Sequence, residues 1–229
     1  MIYGMKIIPV IPAYNEETVI AEVVLGIKNK VSEVIVVDDY SRDQTGERAV
    51  AAGALVLRHP INLGQGAALR TGTKYALSRG ADIIVHFDAD GQHDPKDISP
   101  LTDPLISQQA EIILGSRFMA GGQALNIPPL RRALLKLACS WIHWWTGLKL
   151  TDPQNGLRAL TRRAAEQLDW SQDRMAHTSE ILEEIARLKI PYLEVPVTVR
   201  YSEYSKAKGQ KNIDAWRILC RLVLGKFVL

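Results

Sequence analysis

The chain has 229 residues, 47% of them hydrophobic and 23% charged, enough to bury one substantial core and unlike a disordered polymer. A formal net charge of +3 is too small to argue for a nucleic-acid partner, and the two cysteines, Cys139 and Cys220, form neither a C-x-x-C pair nor a Cys/His cluster. They read as reduced core thiols. With no run of about 20 uninterrupted apolar residues and no signal peptide, the chain is expected to be cytoplasmic and at most peripheral to a membrane.

Strands are predicted over residues 6–12, 33–39, 54–59, 82–90 and 111–117, with amphipathic helices over 16–29, 43–52 and 66–79 between them. Near-continuous Val/Ile strands suit a parallel sheet covered on both faces, and their alternation with helices implies βαβ units with right-handed crossovers. The fold class is therefore α/β, an open and mostly parallel Rossmann-like sheet. From 119 to 129 the sequence is rich in Gly and Pro and reads as a loop. A helix over 130–148 carries Trp141, Trp144 and Trp145. After the turn TDPQNG come a strand over 157–161, a helix over 177–189 and the alternating run YLEVPVTVR. The division expected is a catalytic domain over 1–212 and an amphipathic helix over 213–229.

The strands end in polar or small residues: Ala13 to Glu16, Asp38 and Asp39, Asp88 to Asp90, Ser116 and Arg117. In open α/β sheets ligands bind outside the carboxyl ends of strands, so these ends are expected to converge. Asp88 and Asp90 are the strongest local signal. On extended backbone, residues two apart point the same way, and hard divalent cations are held by one or two carboxylates together with substrate phosphates. Gln92 adds an amide oxygen, and His93 is assigned a supporting role beside the ligands. At Asp38 and Asp39, one carboxylate is expected to meet a base or ribose and the other to cap the next turn. The segment NLGQGAAL places Leu69 at the third glycine position of a dinucleotide fingerprint and follows the third strand, so a dehydrogenase is disfavoured.

The blocks VIPAYNEE, VDDYSRDQT, NLGQGAALRTG, FDADGQHDP and GSRF, in this order, resemble glycosyltransferase family 2, enzymes of the GT-A fold, and most closely the polyprenyl-phosphate sugar synthases of the dolichyl-phosphate mannose synthase type. The resemblance implies that Pro12, Ala13, Tyr14, Glu16, Asp39 and Ala89 line the nucleotide-sugar site. It implies that Asp88, Asp90 and Gln92 hold Mg²⁺ or Mn²⁺ on the diphosphate. It further implies that Arg117 and Arg131 or Arg132 bind the acceptor phosphate, with Asp88, Asp90, Arg117 and Arg131 forming the catalytic set. Arg200 and Lys206 match an R-x-x-G-x-S-K block that reaches the donor phosphates, although Glu203 replaces its glycine. Asp152, Asn155 and Arg158 match a D-x-x-S-G-F-R block, with Asn155 in place of serine.

The implied reaction is inverting transfer of a sugar from a nucleotide-diphosphate-sugar of the GDP-mannose or UDP-glucose type to a polyprenyl phosphate. A phosphate monoester has its second pKa near 6 and is already nucleophilic at neutral pH, so no strong base is required. A saccharide hydroxyl acceptor would need one, and Glu180 is the candidate. A sugar nucleotidyltransferase would carry a Gly-rich cationic loop after the first strand, where this chain has AYNEE, and a catalytically dead binding module would not keep Asp88, Asp90, Arg117 and Lys206. The basic amphipathic pattern of 213–229 and the tryptophans of 141–145 suggest a membrane surface as a partner; the alternatives are a terminal helix docked on the protein core and tryptophans packed in the core or against another subunit.

Overall fold

The computed structural model describes residues 4–125, 127, 129–174 and 176–201, without the side chains of 129–134 and 136–138. The Val/Ile runs form β1 (Ile7–Ala13), β2 (Ile35–Asp38), β3 (Leu55–Arg58), β4 (Ile83–His86) and β5 (Ile112–Ser116). Helices α1 (Ile20–Lys28), α2 (Thr45–Ala52), α3 (Gln65–Ser78) and α4 (Ile98–Ile106) carry the chain back between them. Then follow β6 (Gln123–Leu125), α5 (Pro129–Thr146), β7 (Arg158–Thr161), α6 (Arg162–Gln167), α7 (His177–Leu188), β8 (Tyr192–Pro196) and β9 (Thr198–Arg200).

Seven strands make one sheet in the order β3-β2-β1-β4-β7-β5-β8, while β6 and β9 pair separately. Every pairing in the large sheet is parallel except those of β7, which runs antiparallel to β4 on one side and β5 on the other. That reversal puts the start of β7 at the carboxyl ends of its neighbours: Arg158 is in register with His86 of β4 and Leu114 of β5.

Strand residues of opposite parity feed two separate cores. Ile7, Ile11, Val36, Val85 and Ile113 pack under α1, α2 and α4. Ile8, Val10, Val37, Ile84 and Ile112 pack under α3, α6 and α7. Helix α3 packs tightly on the sheet at Gly72, where a Cβ would lie 2.3 Å from Val10 Cγ1 and 3.0 Å from Val37 Cγ2. Only the absence of a side chain lets α3 settle there.

Several expectations change. The first helix starts at Ile20, not residue 16, because residues 16–19 form a turn in which the Glu16 carbonyl accepts from Val19 N and Ile20 N while Glu16 N donates to Thr45 Oγ1. The 119–129 loop contains β6, which pairs parallel with β9. Cys139 is half-buried rather than a core thiol; its Sγ donates to the Thr151 carbonyl at 3.2 Å. Cys220, Lys206 and the 213–229 helix lie outside the described residues. No helix among the described residues is long and apolar enough to cross a membrane.

Gly72→Ala forces a methyl into the α3–sheet contact and is expected to cost about 1–3 kcal/mol, as overpacking of a filled core does. Urea denaturation checks this, and an unchanged midpoint would mean that α3 stands further from β1 than the structure places it.

Candidate active site

The carboxyl end of β4 carries the centre of the site. The strand stops at His86, and Ala89 and Asp90 lie in a turn, so the two carboxylates are brought together by chain reversal and not by extended backbone as the sequence pattern suggested. Gly91 follows with φ +71°, a conformation that suits glycine, and Gln92 N donates back to Asp90 Oδ1 at 3.0 Å.

Asp88 is held on both oxygens. Gln65 Nε2, at the first turn of α3, donates to Oδ1 at 2.9 Å, and His93 Nε2 donates to Oδ2 at 3.0 Å. Gly156, just before β7, closes the third side: a Cβ there would sit 2.8 Å from Asp88 Oδ2. Burial by itself would raise the Asp88 carboxyl, but the His93 hydrogen bond and the surrounding positive charge outweigh it and leave it below its ordinary value. Asp90 goes the other way. Burial, the adjacent Asp88 charge and the more distant Glu16 push it up to about 6, against weaker opposition from His93 and the Gln92 amide. Such crowding of carboxylates is what a hard cation relieves, and the donor set of two carboxylates and an amide oxygen suits Mg²⁺ or Mn²⁺ completed by water and phosphate oxygens. No group of three or more His, Cys, Asp or Glu side chains is placed to bind a metal alone among the described residues.

The other expected residues divide clearly. Pro12 and Ala13 are buried in β1, and the Ala13 carbonyl accepts from Asp39 N at 2.8 Å. Tyr14 stands exposed at the mouth, whereas Glu16 is buried. Arg200 is brought to the turn by backbone: its N donates to the Gln92 carbonyl at 2.9 Å, and its guanidinium meets Asp94 Oδ2 at 3.0 Å. Asp97 fixes the same strand by accepting from Thr198 N at 2.8 Å.

Asp38 does cap the following turn, accepting from Ser41 N at 2.8 Å. Asp39 is fully engaged with its own chain. Its Oδ1 accepts from His59 Nδ1 at 2.7 Å and Leu63 N at 2.9 Å, and its Oδ2 accepts from Gly64 N at 2.7 Å. Its visible work is to anchor the loop that delivers Gln65 to Asp88. The glycines of that loop admit protein: a Cβ would lie 2.5 Å from the Asp173 carbonyl at Gly64, which has φ +107°, and 2.2 Å from the Gln172 carbonyl at Gly66.

Arg117 is likewise put to a use the sequence did not suggest. Its Nε and Nη2 donate to Asp152 Oδ2 and Oδ1, each at 2.6 Å, and its Nη1 donates to Tyr201 Oη at 2.6 Å. Burial works against this cation, but Asp152 more than compensates and keeps it firmly protonated. Breaking such a buried pair by removing one partner costs about 3–5 kcal/mol. Arg131 and Arg132 fall in α5, and their side chains are outside the described residues. Glu180, the candidate base for a hydroxyl acceptor, accepts from Ser171 N, Ser171 Oγ and Gln172 N at 2.8–3.0 Å, holding the loop before α7.

Gln65 and Gly156 do not stand out as site residues in the sequence, and Arg158 stands out only as part of the D-x-x-S-G-F-R block, with no role attached. The available signals were the glycine of the QNGLR block and the glutamine opening α3, both ambiguous until the sheet order is known.

The family model for "Glycosyl transferase family 2" matches residues 10–168, which contain Asp39, Asp88, Asp90 and Arg117. The chain belongs to glycosyl transferase family 2. It is 34% identical to the UDP-N-acetylglucosamine–dolichyl-phosphate N-acetylglucosaminyltransferase of Methanococcus voltae, over 95% of this chain and 94% of the relative. It is 31% identical to the undecaprenyl-phosphate mannosyltransferase of Micrococcus luteus, over 95% of this chain and 96% of that one. Glucosyl-3-phosphoglycerate synthase from Mycobacterium tuberculosis, solved with Mn²⁺, UDP-glucose and phosphoglyceric acid, shares the fold with a TM-score of 0.71 at 23% identity, covering 96% of this chain and 79% of that structure. The enzyme is therefore a glycosyltransferase with the GT-A fold.

Beneath the site, burial and the neighbouring Arg158 charge lower His177 to about 4, and His86 is held well below its usual value by burial, again with Arg158. Both imidazoles stay neutral in the folded enzyme. As pH falls from 6.5, the unfolded chain takes up protons that the folded state refuses, so stability drops until the folded pKa is reached. For His177 the loss between pH 6.5 and 4 is expected to be about 3 kcal/mol. Denaturant unfolding of the wild type and His177→Asn across that range tests it: the variant should lose less stability on acidification, and parallel curves would refute the assignment.

Proposed function

We propose that this glycosyltransferase moves a hexose or N-acetylhexosamine from a nucleotide-diphosphate-sugar to a polyprenyl phosphate, with inversion and with a divalent cation at Asp88 and Asp90. The observation that carries the reading is the crowding of Glu16, Asp88 and Asp90 at the mouth of a parallel sheet, with Asp90 pushed up to about 6. The relatives from Methanococcus voltae and Micrococcus luteus, both named for polyprenyl-phosphate acceptors and both matched over nearly their full length, support the acceptor class.

Asp90 and Asp88 would hold Mg²⁺ or Mn²⁺, with the Gln92 amide oxygen as a third donor. When bound, the cation supplies positive charge against the diphosphate oxygens as the sugar leaves. The chain's own residues do the rest. Gln65 and His93 fix the Asp88 carboxylate so that little reorganisation is needed during reaction. Pro12, Ala13, Tyr14, Glu16, Asp39 and Ala89 border the space for the nucleotide, and Arg200 with Lys206 is assigned to the diphosphate.

Arg131 or Arg132 is assigned to the acceptor phosphate, since a guanidinium fork matches phosphate oxygens. Arg117 supports that end of the site from beneath, through Asp152 and Tyr201. The attacking oxygen belongs to a phosphate already anionic at neutral pH. The engagement of Glu180 with Ser171 and Gln172 favours this over a saccharide hydroxyl, which would need a base. Trp144 and Trp145, 72% and 45% exposed, are suited to a lipid–water boundary, consistent with an acceptor presented there.

Incubation with a panel of nucleotide-sugars, with and without polyprenyl phosphate, should release nucleoside diphosphate only with the lipid acceptor, and chelator should stop it. Asp90→Ala should lower turnover by at least a hundredfold while the circular dichroism spectrum stays unchanged. Undiminished turnover in that variant, or full wild-type activity in excess chelator, would remove the cation from the mechanism.

A further inference from the structure

We propose that Arg158 is a positioning residue that counterbalances the acidic end of β4 and weakens the hold of the nucleotide-free site on its cation. This rests on the metal-dependent reading above. Arg158 is the largest side chain in the fully buried core, 1% exposed, on the sheet face covered by α3 and α7. Its Nε donates to the Gly156 carbonyl at 3.2 Å, while Nη1 and Nη2 have no hydrogen-bond partner among the described residues. It forms no ion pair among them either.

The groups facing it sharpen the point. His86 lies across the β4–β7 ladder in direct register, and His177 on α7 and Asp88 are the other ionisable groups that sense its charge. Among these groups Arg158 carries the guanidinium and Asp88 the carboxylate. Gly156 links them: its carbonyl takes the Arg158 Nε, and its bare α-carbon abuts Asp88 Oδ2.

An unpaired guanidinium in a core destabilises a protein, and an apolar side chain of similar length is often more stable in such a place. Retaining the charge therefore needs a reason. Its field reaches Asp88, one of the carboxylates that would ligate the cation, and in a poorly polarisable interior like charges repel strongly over several ångströms. Arg158 thus opposes tight cation binding at Asp88 and Asp90 until the diphosphate adds its negative charge, and it favours departure of the cation with the product.

Arg158→Met and Arg158→Gln remove the charge, and Arg158→Lys keeps it. Mn²⁺ titrated into each protein without nucleotide at pH 7.5, followed by electron paramagnetic resonance of free Mn²⁺, should show the Met and Gln variants binding on the order of tenfold tighter than wild type. The Lys variant should match wild type, and Arg158→Met should melt no lower than wild type. A merely structural arginine predicts the reverse, with lower melting and weaker Mn²⁺ binding; that result, or unchanged affinity in the neutral variants, overturns the inference. If Arg158→Met does not fold, the Gln and Lys pair carries the same comparison. Wild-type Mn²⁺ binding that is lost in Asp90→Ala but indifferent to Arg158 removes this inference alone. Wild-type protein that binds no Mn²⁺ even with a nucleoside diphosphate removes the metal reading and this inference together.

Discussion

A carboxylate surrounded by other carboxylates in a partly dry site must be held by donors or neutralised by a cation, and much of this enzyme's architecture answers that requirement at Asp88. One oxygen is held from α3 by Gln65 and the other from the β4 turn by His93, while Gly156 presses against it from the entry to β7. Three separate stretches of chain thus meet on one side chain. Asp39 serves the same end at a distance, since its grip on His59, Leu63 and Gly64 sets where α3 begins. With Asp88 satisfied in this way, the unrelieved charge falls on Asp90, which is where an incoming cation has most to gain.

The antiparallel insertion of β7 makes this meeting possible. Had β7 run parallel like the other strands, its polar leading residues would lie at the far end of the sheet. Reversed, it delivers Asp152 to Arg117 at the end of β5, Gly156 to Asp88 at the end of β4, and Arg158 to the level of His86. The buried Arg117–Asp152 pair and Arg158, which has no ion-pair partner among the described residues, are both costly by the ordinary rules for buried charge. Both lie where β7 and the segment before it meet the carboxyl ends of β4 and β5, where electrostatic preorganisation can offset a stability cost.

Much of this was legible in the sequence, for identifiable reasons. β1 to β5 are near-continuous Val/Ile runs, and parallel strands buried on both faces must look so. The convergence of their ends then follows from topology, which is why Asp88, Asp90, Glu16 and Asp39 could be grouped beforehand. Nothing local records the direction of β7, because strand polarity is decided by which partner it reaches after a long connection. The roles of Arg117, Asp39 and Glu180 were hidden for a related reason. Each is engaged by a partner or loop that sequence spacing does not place beside it, so its structural contacts could not be read from the sequence. β6 was masked by its flanking glycines and its exposure.

The central claim is that Asp88 and Asp90 together hold a divalent cation on a nucleoside diphosphate at the end of β4. Anomalous diffraction from crystals grown with Mn²⁺ and a nucleoside diphosphate addresses it directly. The account predicts a manganese peak at the Asp88 and Asp90 carboxylates and the diphosphate, with Asp88 still held by Gln65 or His93. A manganese peak elsewhere, or nucleotide bound with no metal beside Asp90, would contradict it.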